Sequence, residues 1–367
     1  MPRLSESDLR DQETQFAKAF SILRDAIQQR AFPGVALVVT HRGAVIAAHG
    51  FGRFTYDEHA PEVRVETVFD LASLSKVVAT TALAMSLYER GSLHLDEPVA
   101  QTLPDFVELA PKHAQASRHD VTIRMLLAHS SGLPAYEKLF EFADTREDLL
   151  RAALTTRLTA TPGTRSEYSD IGFILLGELL SRKAGPPLDE QVENQIFSPL
   201  QMSNTRFTPP TRWKTDIPPT EDDRKFRHRV IQGEVNDENA YVMGGVAGHA
   251  GVFAPATEVA RFAECMLSDG APLFRPETVK LFTSRQSLPR TSRALGWDTP
   301  SRPDSSSGRF FSEHSFGHLG FTGCSLWIDP ERSLSVTVLT NRTWPDRSSQ
   351  LIREVRPRLH DAIVEAL

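Results

Sequence analysis

Leu71-Ala72-Ser73-Leu74-Ser75-Lys76 runs without a break into Val77-Val78-Ala79-Thr80-Thr81-Ala82-Leu83-Ala84-Met85. A serine stands three residues before a lysine at the mouth of an apolar helical run. Residues i and i+3 share one helix face, so the Ser73 hydroxyl and the Lys76 amine are placed to meet. A weak nucleophile beside a base is the minimum equipment of covalent catalysis. Ser-x-x-Lys also arises by chance, as a helix cap followed by a solvated lysine. Its meaning depends on partners elsewhere in the chain.

The 367 residues are 40% hydrophobic and 24% charged, a globular profile with room for one large domain or two interleaved ones. Net charge is -6, with Lys and Arg spread along the chain, so no nucleic-acid partner is expected. The two cysteines, Cys265 and Cys324, imply no disulfide framework and read as reduced thiols. No Cys/His pairing or His-Glu-x-x-His spacing points to zinc, and neither metal nor cofactor is expected. The start, Met1-Pro2-Arg3-Leu4-Ser5-Glu6-Ser7-Asp8, is charged and lacks the apolar segment of a secretory signal. The longest charge-free apolar run, 77–88, falls short of the ~20 residues a spanning helix needs. The expectation is a cytoplasmic protein with no membrane span. Composition leaves its oligomeric state open.

Outward from Ser73, apolar positions at helical spacing (Leu9, Phe16, Phe20, Leu23, Ile27) predict a first helix over about 7–30. Residues 34–40 and 44–49 flank the turn Arg42-Gly43 and predict a hairpin. The Ser73 helix should end at Glu89-Arg90-Gly91, with Gly91 as cap. From 93 to about 210 the pattern is helical with Pro and Gly breaks. It includes a short helix over 123–129, a capping box at 144–147 and an apolar helix from Ile171. Residues 211–229, including the charge run 221–229, read as a solvated loop. The glycine-rich 244–251 precedes a helix over 257–267, and 301–315 reads as another loop. Residues 325–328 and 334–340 form a second hairpin around Asp329-Pro330, and 348–366 closes as a helix. Strands at both ends with helices between predict an α/β (α+β) fold. An antiparallel sheet flanked by helices is expected from 1–90 and 235–367, with a mainly helical domain, 91–234, inserted. The Ser73 helix then lies at the junction, where clefts form.

Three separated features share one order: Ser73-x-x-Lys76, then Tyr168-Ser169-Asp170 before an apolar helix, then His318-Leu319-Gly320 before the last hairpin. With these, the chain resembles the serine β-lactamase and penicillin-binding protein superfamily. Tyr-x-(Asn or Asp) and a His in the third motif are similar to the branch of class C β-lactamases, D,D-peptidases and esterases. The resemblance covers nearly the whole chain, including 122–134, 162–163, 244–253 and 317–341. The run 233–240 (Gly-Glu-Val-Asn-Asp-Glu-Asn-Ala) resembles a segment of relatives that include cell-wall recycling amidases.

The resemblance implies a β-lactamase/transpeptidase-like fold and a role for each residue. Ser73 is the acylated nucleophile. Lys76 and Tyr168, poor bases in isolation, act as a coupled general base. The Ser73 and Phe321 backbone N–H groups form an oxyanion hole, and His318 lends a donor or partial positive charge near Tyr168. Asp170, Tyr136, Leu319 and Gly320 fall on the substrate side. Asp170 replaces the commoner asparagine, exchanging a donor amide for an acceptor, and serves either the substrate or Lys76. Leu319 lacks the hydroxyl that would meet a substrate carboxylate. Tyr136 stands where class C enzymes place a glutamine.

These departures favour a metal-independent hydrolase of a small ester, amide or peptidoglycan-fragment substrate over a true β-lactamase. The alternative from another class is a penicillin-recognising sensor that acylates without turnover. Plainer readings remain beside these: Asp170 as a helix cap, His318 as a strand histidine, His249 as either structural or functional, and Asp237 and Glu238 as solvated loop. The run Ala128-His129-Ser130-Ser131-Gly132 lacks the first glycine and preceding strand of a nucleophile elbow.

Overall fold

Two apolar hairpins, one from each end of the chain, build the central sheet. The computed structural model describes residues 5–6, 9–288 and 291–367. The charged start therefore lies outside the described residues, apart from the backbone at 5–6. The main sheet comprises β1 (Ser5–Glu6), β2 (Gly34–His41), β3 (Ala44–Gly52), β4 (Phe316–Leu319), β5 (Ser325–Asp329) and β6 (Leu334–Thr340). Its order is β1-β3-β2-β6-β5-β4, so the N- and C-terminal hairpins meet where β2 pairs with β6. All pairings are antiparallel except β1 with β3, a two-residue parallel contact at the edge that sequence did not anticipate.

Both faces of this sheet are covered, which is why β6, and β2 up to its last residue His41, are apolar or small rather than alternating. Val35, Leu37 and Val39 pack with Phe20 and Leu23 of α1 (Ala17–Gln28) and with Leu359 and Ile363 of the C-terminal helix Ile352–Glu365. Ala36 and Val38, on the opposite face, join a core that includes Val77, Leu83, Leu126, Ile171, Val259 and Phe262. The helices between the two halves of the sheet thus share one continuous core with it.

The predicted first helix is realised in pieces. A 3-10 turn (Leu9–Asp11) and a single turn (Gln12–Gln15) precede α1, with the break at Phe16. Residues 211–229 are more ordered than their polarity indicated: they hold a 3-10 segment (Thr211–Asp216) and most of a hairpin, Glu221–Asp223 with Arg229–Ile231. The Asp223 carboxylate accepts the N–H groups of Lys225, Phe226 and Arg227 and pairs with the Arg227 guanidinium, which builds the turn. Also unpredicted are a three-stranded sheet (Val68–Asp70, Val252–Pro255, Arg206–Phe207) and the helix Pro276–Thr283.

Four helical elements position the site. The nucleophile segment opens with Ala72–Leu74, passes through a wide π-type turn at Lys76–Thr81, and continues as α2 (Ala82–Glu89). Helix α3 (Asp170–Ala184) is capped by Ser169, whose Oγ accepts the Gly172 N–H, and ends at Gly185. Helix α4 (Ala256–Leu267) underlies the sheet, and α5 is the C-terminal Ile352–Glu365. Where the glycine-rich loop crosses α3, the backbones touch: a Cβ on Gly248 would stand 2.1 Å from Phe173 O, and one on Gly177 would stand 2.7 Å from Gly248 Cα. Cys265 and Cys324 are buried and unbridged. Among the described residues, no helix is long and apolar enough to cross a membrane.

Candidate active site

Asp70 sets the nucleophile. Its buried carboxylate accepts the Ala72 N–H at 2.8 Å and the Asn236 N–H at 2.7 Å. Ala72 itself is held at φ +46°, a conformation that costs an L-residue energy and persists where the surroundings enforce it. The result presents Ser73 at the head of a helix facing a cleft of about 1250 Å³.

Ser73, Lys76 and Tyr168 meet as the sequence predicted. Lys76 Nζ donates to Ser73 Oγ at 2.9 Å, and the Tyr168 hydroxyl donates to the same oxygen at 2.8 Å. Lys76 is wholly buried, and its second directed bond goes to the His249 carbonyl at 2.9 Å. Asp170 Oδ1 lies 2.6 Å from Nζ, outside hydrogen-bond alignment, so the attraction is that of two charges rather than a directed bond. The helix cap is Ser169, not Asp170, which leaves the Asp170 carboxylate, 16% exposed, for Lys76.

Burial disfavours the Lys76 ammonium, but the charges of Asp170 and Tyr168 outweigh it and raise its pKa. Burial, then the Asp170 charge, pushes the Tyr168 phenol up against the pull of Lys76. At rest the cluster holds an ammonium, a phenol and a carboxylate. Behind Tyr168 packs His129, with ring centroids 4.7 Å apart and Nδ1 accepting the Ser169 N–H at 3.0 Å. Burial and the nearby Arg293 and Lys76 charges hold this imidazole well below its usual pKa.

His318 requires a correction. It is buried on β4 with its ring 5.9 Å from that of Tyr168. Burial and the charges of Lys76 and Arg293 drive its pKa well down, so it carries no positive charge at neutral pH. Its Nδ1 faces the Leu319 carbonyl at 2.9 Å, which only accepts, so Nδ1 carries the proton. Nε2, buried and unpartnered, is then an acceptor rather than the donor expected.

Leu319, Gly320 and Phe321 line the same cleft. The turn is closed by Gly320 N–H to Cys324 O at 2.7 Å and Gly323 N–H to Gly320 O at 3.0 Å. Gly320 is required: a Cβ there would stand 2.6 Å from Leu71 O. Phe321 N–H makes no hydrogen bond among the described residues, and the residue is 47% exposed. Tyr136, 38% exposed, lines the wall that also holds Asp170, Asp237 and Glu238.

The polar run 233–240 contributes more to the site than a solvated loop would. Asp237, read as solvated loop, accepts a bond from buried His249 Nε2 at 2.8 Å and caps the helix Glu238–Val242 by accepting the Ala240 N–H. Burial works against its charge, but His249 and the Ala240 N–H hold it down to about 2. Glu238 pairs with Arg347, which also binds Glu221. Arg293, whose guanidinium lies 5.2 Å from the Tyr168 ring centroid, had no signal in the sequence. The loop's polar run was the available clue for Asp237.

A family model described as Beta-lactamase matches residues 19–357. The chain belongs to the Beta-lactamase family. Two curated members are similar over most of its length. An N-acetylmuramyl-L-alanine amidase of Bacillus subtilis (strain 168) is 33% identical, covering 85% of this chain and 77% of that protein. A putative D-alanyl-D-alanine carboxypeptidase of Escherichia coli (strain K12) is 30% identical, covering 85% and 79%. Among solved structures, "EstCE1, a hydrolase with promiscuous acyltransferase activity" superposes with TM-score 0.77 at 22% identity, covering 96% of this chain and 99% of that one. That likeness shows the α+β, β-lactamase/transpeptidase-like fold. As a member of the Beta-lactamase family with these relatives, the protein is a serine hydrolase.

Proposed function

We propose that the protein hydrolyses an amide or ester of a peptidoglycan-fragment type through an acyl-enzyme at Ser73. The observation that carries this reading is the convergence of Lys76 Nζ and Tyr168 OH on Ser73 Oγ at the head of the cleft. Ser73 Oγ attacks the carbonyl carbon, its proton passes into the Lys76–Tyr168–Asp170 cluster, and the cluster protonates the departing amine or alcohol. Water then attacks the acyl-enzyme and gives its proton back by the same route. The accepting form of the cluster is the one that has lost a proton from its Lys76–Tyr168 pair, and Asp170, in contact with Lys76, sets the pH at which that form appears, so Asp170 belongs to the proton machinery rather than to substrate recognition. The Phe321 N–H, with the Ser73 N–H, receives the oxyanion.

The amidase and putative carboxypeptidase names of the two relatives support the substrate class, as does a cleft larger than a single amino-acid derivative fills. Leu319 beside His318 supplies no hydroxyl to a β-lactam carboxylate, which disfavours β-lactam hydrolysis. Two buried, unbridged cysteines accord with a cytoplasmic site of action.

The test uses p-nitrophenyl acetate and butyrate, a muropeptide panel and a fluorescent β-lactam. Turnover of esters and at least one muropeptide amide, lost in Ser73→Ala, supports the reading. A stoichiometric, lasting β-lactam label with no turnover of anything would replace it with a sensor.

A further inference from the structure

The turn that carries Phe321 N–H is braced by two buried arginines with no ion pair among the described residues. Arg356, on α5, donates through Nη2 to Gly320 O at 3.2 Å and to Cys324 O at 2.8 Å. Arg342 donates through Nε to Phe321 O at 2.8 Å and through Nη1 to Ser349 O at 3.0 Å. Each is only 6% exposed, and Arg356 Nε has no partner. The two guanidinium groups, with exposed Arg353, repel one another where they line the cleft.

We infer that Arg356 is a positioning residue for the oxyanion hole, acting through the Gly320–Phe321 peptide, with Arg342 fixing the far side of that turn. The inference rests on the acyl-enzyme reading above. Gly320 C=O and Phe321 N–H belong to one amide. A cation on the oxygen draws electron density from the nitrogen and strengthens the N–H as a donor, the same polarisation that runs through hydrogen-bond chains. The donor aimed at the developing oxyanion is therefore stronger than an ordinary backbone N–H.

Burying a guanidinium without a carboxylate carries a large desolvation penalty. Burial lowers the Arg356 pKa to about 10, still far above neutrality, so the charge is retained. A neutral side chain of similar length would tie α5 to the turn without that penalty. The charge finds its counterpart only when the substrate carbonyl becomes an oxyanion one peptide away. An interaction stronger in the transition state than in the ground state raises kcat and leaves KM nearly unchanged.

Three variants, Arg356→Lys, Arg356→Gln and Arg356→Met, separate this role from a merely structural tie. Each is assayed with p-nitrophenyl butyrate for kcat and KM, for affinity toward phenylboronic acid, whose tetrahedral adduct places an oxygen in the same hole, and for thermal midpoint. We expect Arg356→Gln and Arg356→Met to lose about tenfold in kcat, less than deletion of an oxyanion donor costs, with KM within about twofold. Boronate affinity falls in parallel with kcat, and Arg356→Lys recovers most of both. If Arg356→Met does not fold, the Lys and Gln pair decides. Arg356→Gln at full kcat, or a lowered midpoint with kcat and boronate affinity unchanged, overturns the inference. With Ser73→Ala inert, that outcome leaves the acyl-enzyme reading standing. Turnover surviving in Ser73→Ala overturns both.

Discussion

Replacing Asp170 by asparagine keeps the volume of the side chain and removes one charge from the most tightly packed part of the site. At 2.6 Å and an effective dielectric near 20, the Lys76–Asp170 attraction is about 6 kcal/mol. Desolvation of a wholly buried ammonium opposes it by several kcal/mol. In the native protein the attraction and the Tyr168 contact prevail, so the Lys76 pKa is raised. With Asp170 neutral, desolvation is the larger effect and the sign of the shift reverses. Tyr168 moves the same way, because the Asp170 charge raises it too.

Two consequences follow for Asp170→Asn. The alkaline limb along which kcat/KM for p-nitrophenyl butyrate rises should move down toward neutral pH. Stability should also change its pH dependence. Native Lys76 contributes stability below its unfolded value of roughly 10.4, lost as pH rises through the higher folded value. In the variant the folded value lies below the unfolded one, so stability falls as pH drops through that window. Steady-state profiles from pH 5 to 10, with denaturant midpoints at the same pH values, read both. A kinetic limb that stays in place or moves up, with unchanged pH dependence of stability, refutes the assignment of Asp170 to Lys76.

Tyr168→Phe removes one of the two donors on Ser73 Oγ and should lower kcat by roughly 10²–10⁴, with the midpoint near native; a loss under threefold contradicts its proton-transfer role. Burial raises the Asp70 pKa to about 6, above its unfolded value, so its contribution is full below about pH 4 and is lost between pH 4 and 6. The loss amounts to about 3 kcal/mol, and Asp70→Asn, though less stable overall because it sets an amide N–H against a backbone donor, should show a flatter denaturation profile across that window. Asp237→Asn should cost about 1–3 kcal/mol and lower kcat, since it disturbs the His249 segment whose carbonyl holds Lys76; unchanged kcat would detach this pair from the site. Gly320→Ala should lower kcat at least tenfold, because its Cβ would meet Leu71 O and force the Phe321 turn away from Ser73.

Residue types that repeat with a period, or whose chemistry needs neighbours in sequence, were legible from the chain alone. Ser73 and Lys76 are one helical turn apart, and both hairpins carry their turns with them. The order β2-β6-β5-β4 places the two hairpins side by side, as strands at both ends of the chain had indicated. What escaped was set by tertiary contact. Asp170 precedes an apolar run, as a cap would, and only the fold shows that Ser169 does the capping. The charge of His318 depends on burial and on Arg293, which lies in a loop distant in sequence. Arg356 falls on the buried stripe marked by Ile352, Leu359 and Ile363, where an arginine's charge argues for solvent, and only the turn carbonyls it meets account for its burial. The hairpin within 211–229 owes its turn to the Asp223 carboxylate satisfying three backbone donors, which polarity alone disguises as loop.

The bare crossing of Gly177 and Gly248 divides the site into a floor and walls with different freedom to change. Helix α3 brings Asp170, and the loop against it brings the His249 carbonyl; both grip Lys76. Since the two segments touch main chain to main chain, even one methyl group at Gly248 would part them. The floor therefore has almost no neutral substitutions open to it. Tyr136 and Phe321, half in solvent across the same cleft, impose no such constraint on their side chains. A lineage built on this plan can drift from one acyl donor to another by redecorating its walls, and a designer seeking new substrates should mutate there and leave the crossing alone.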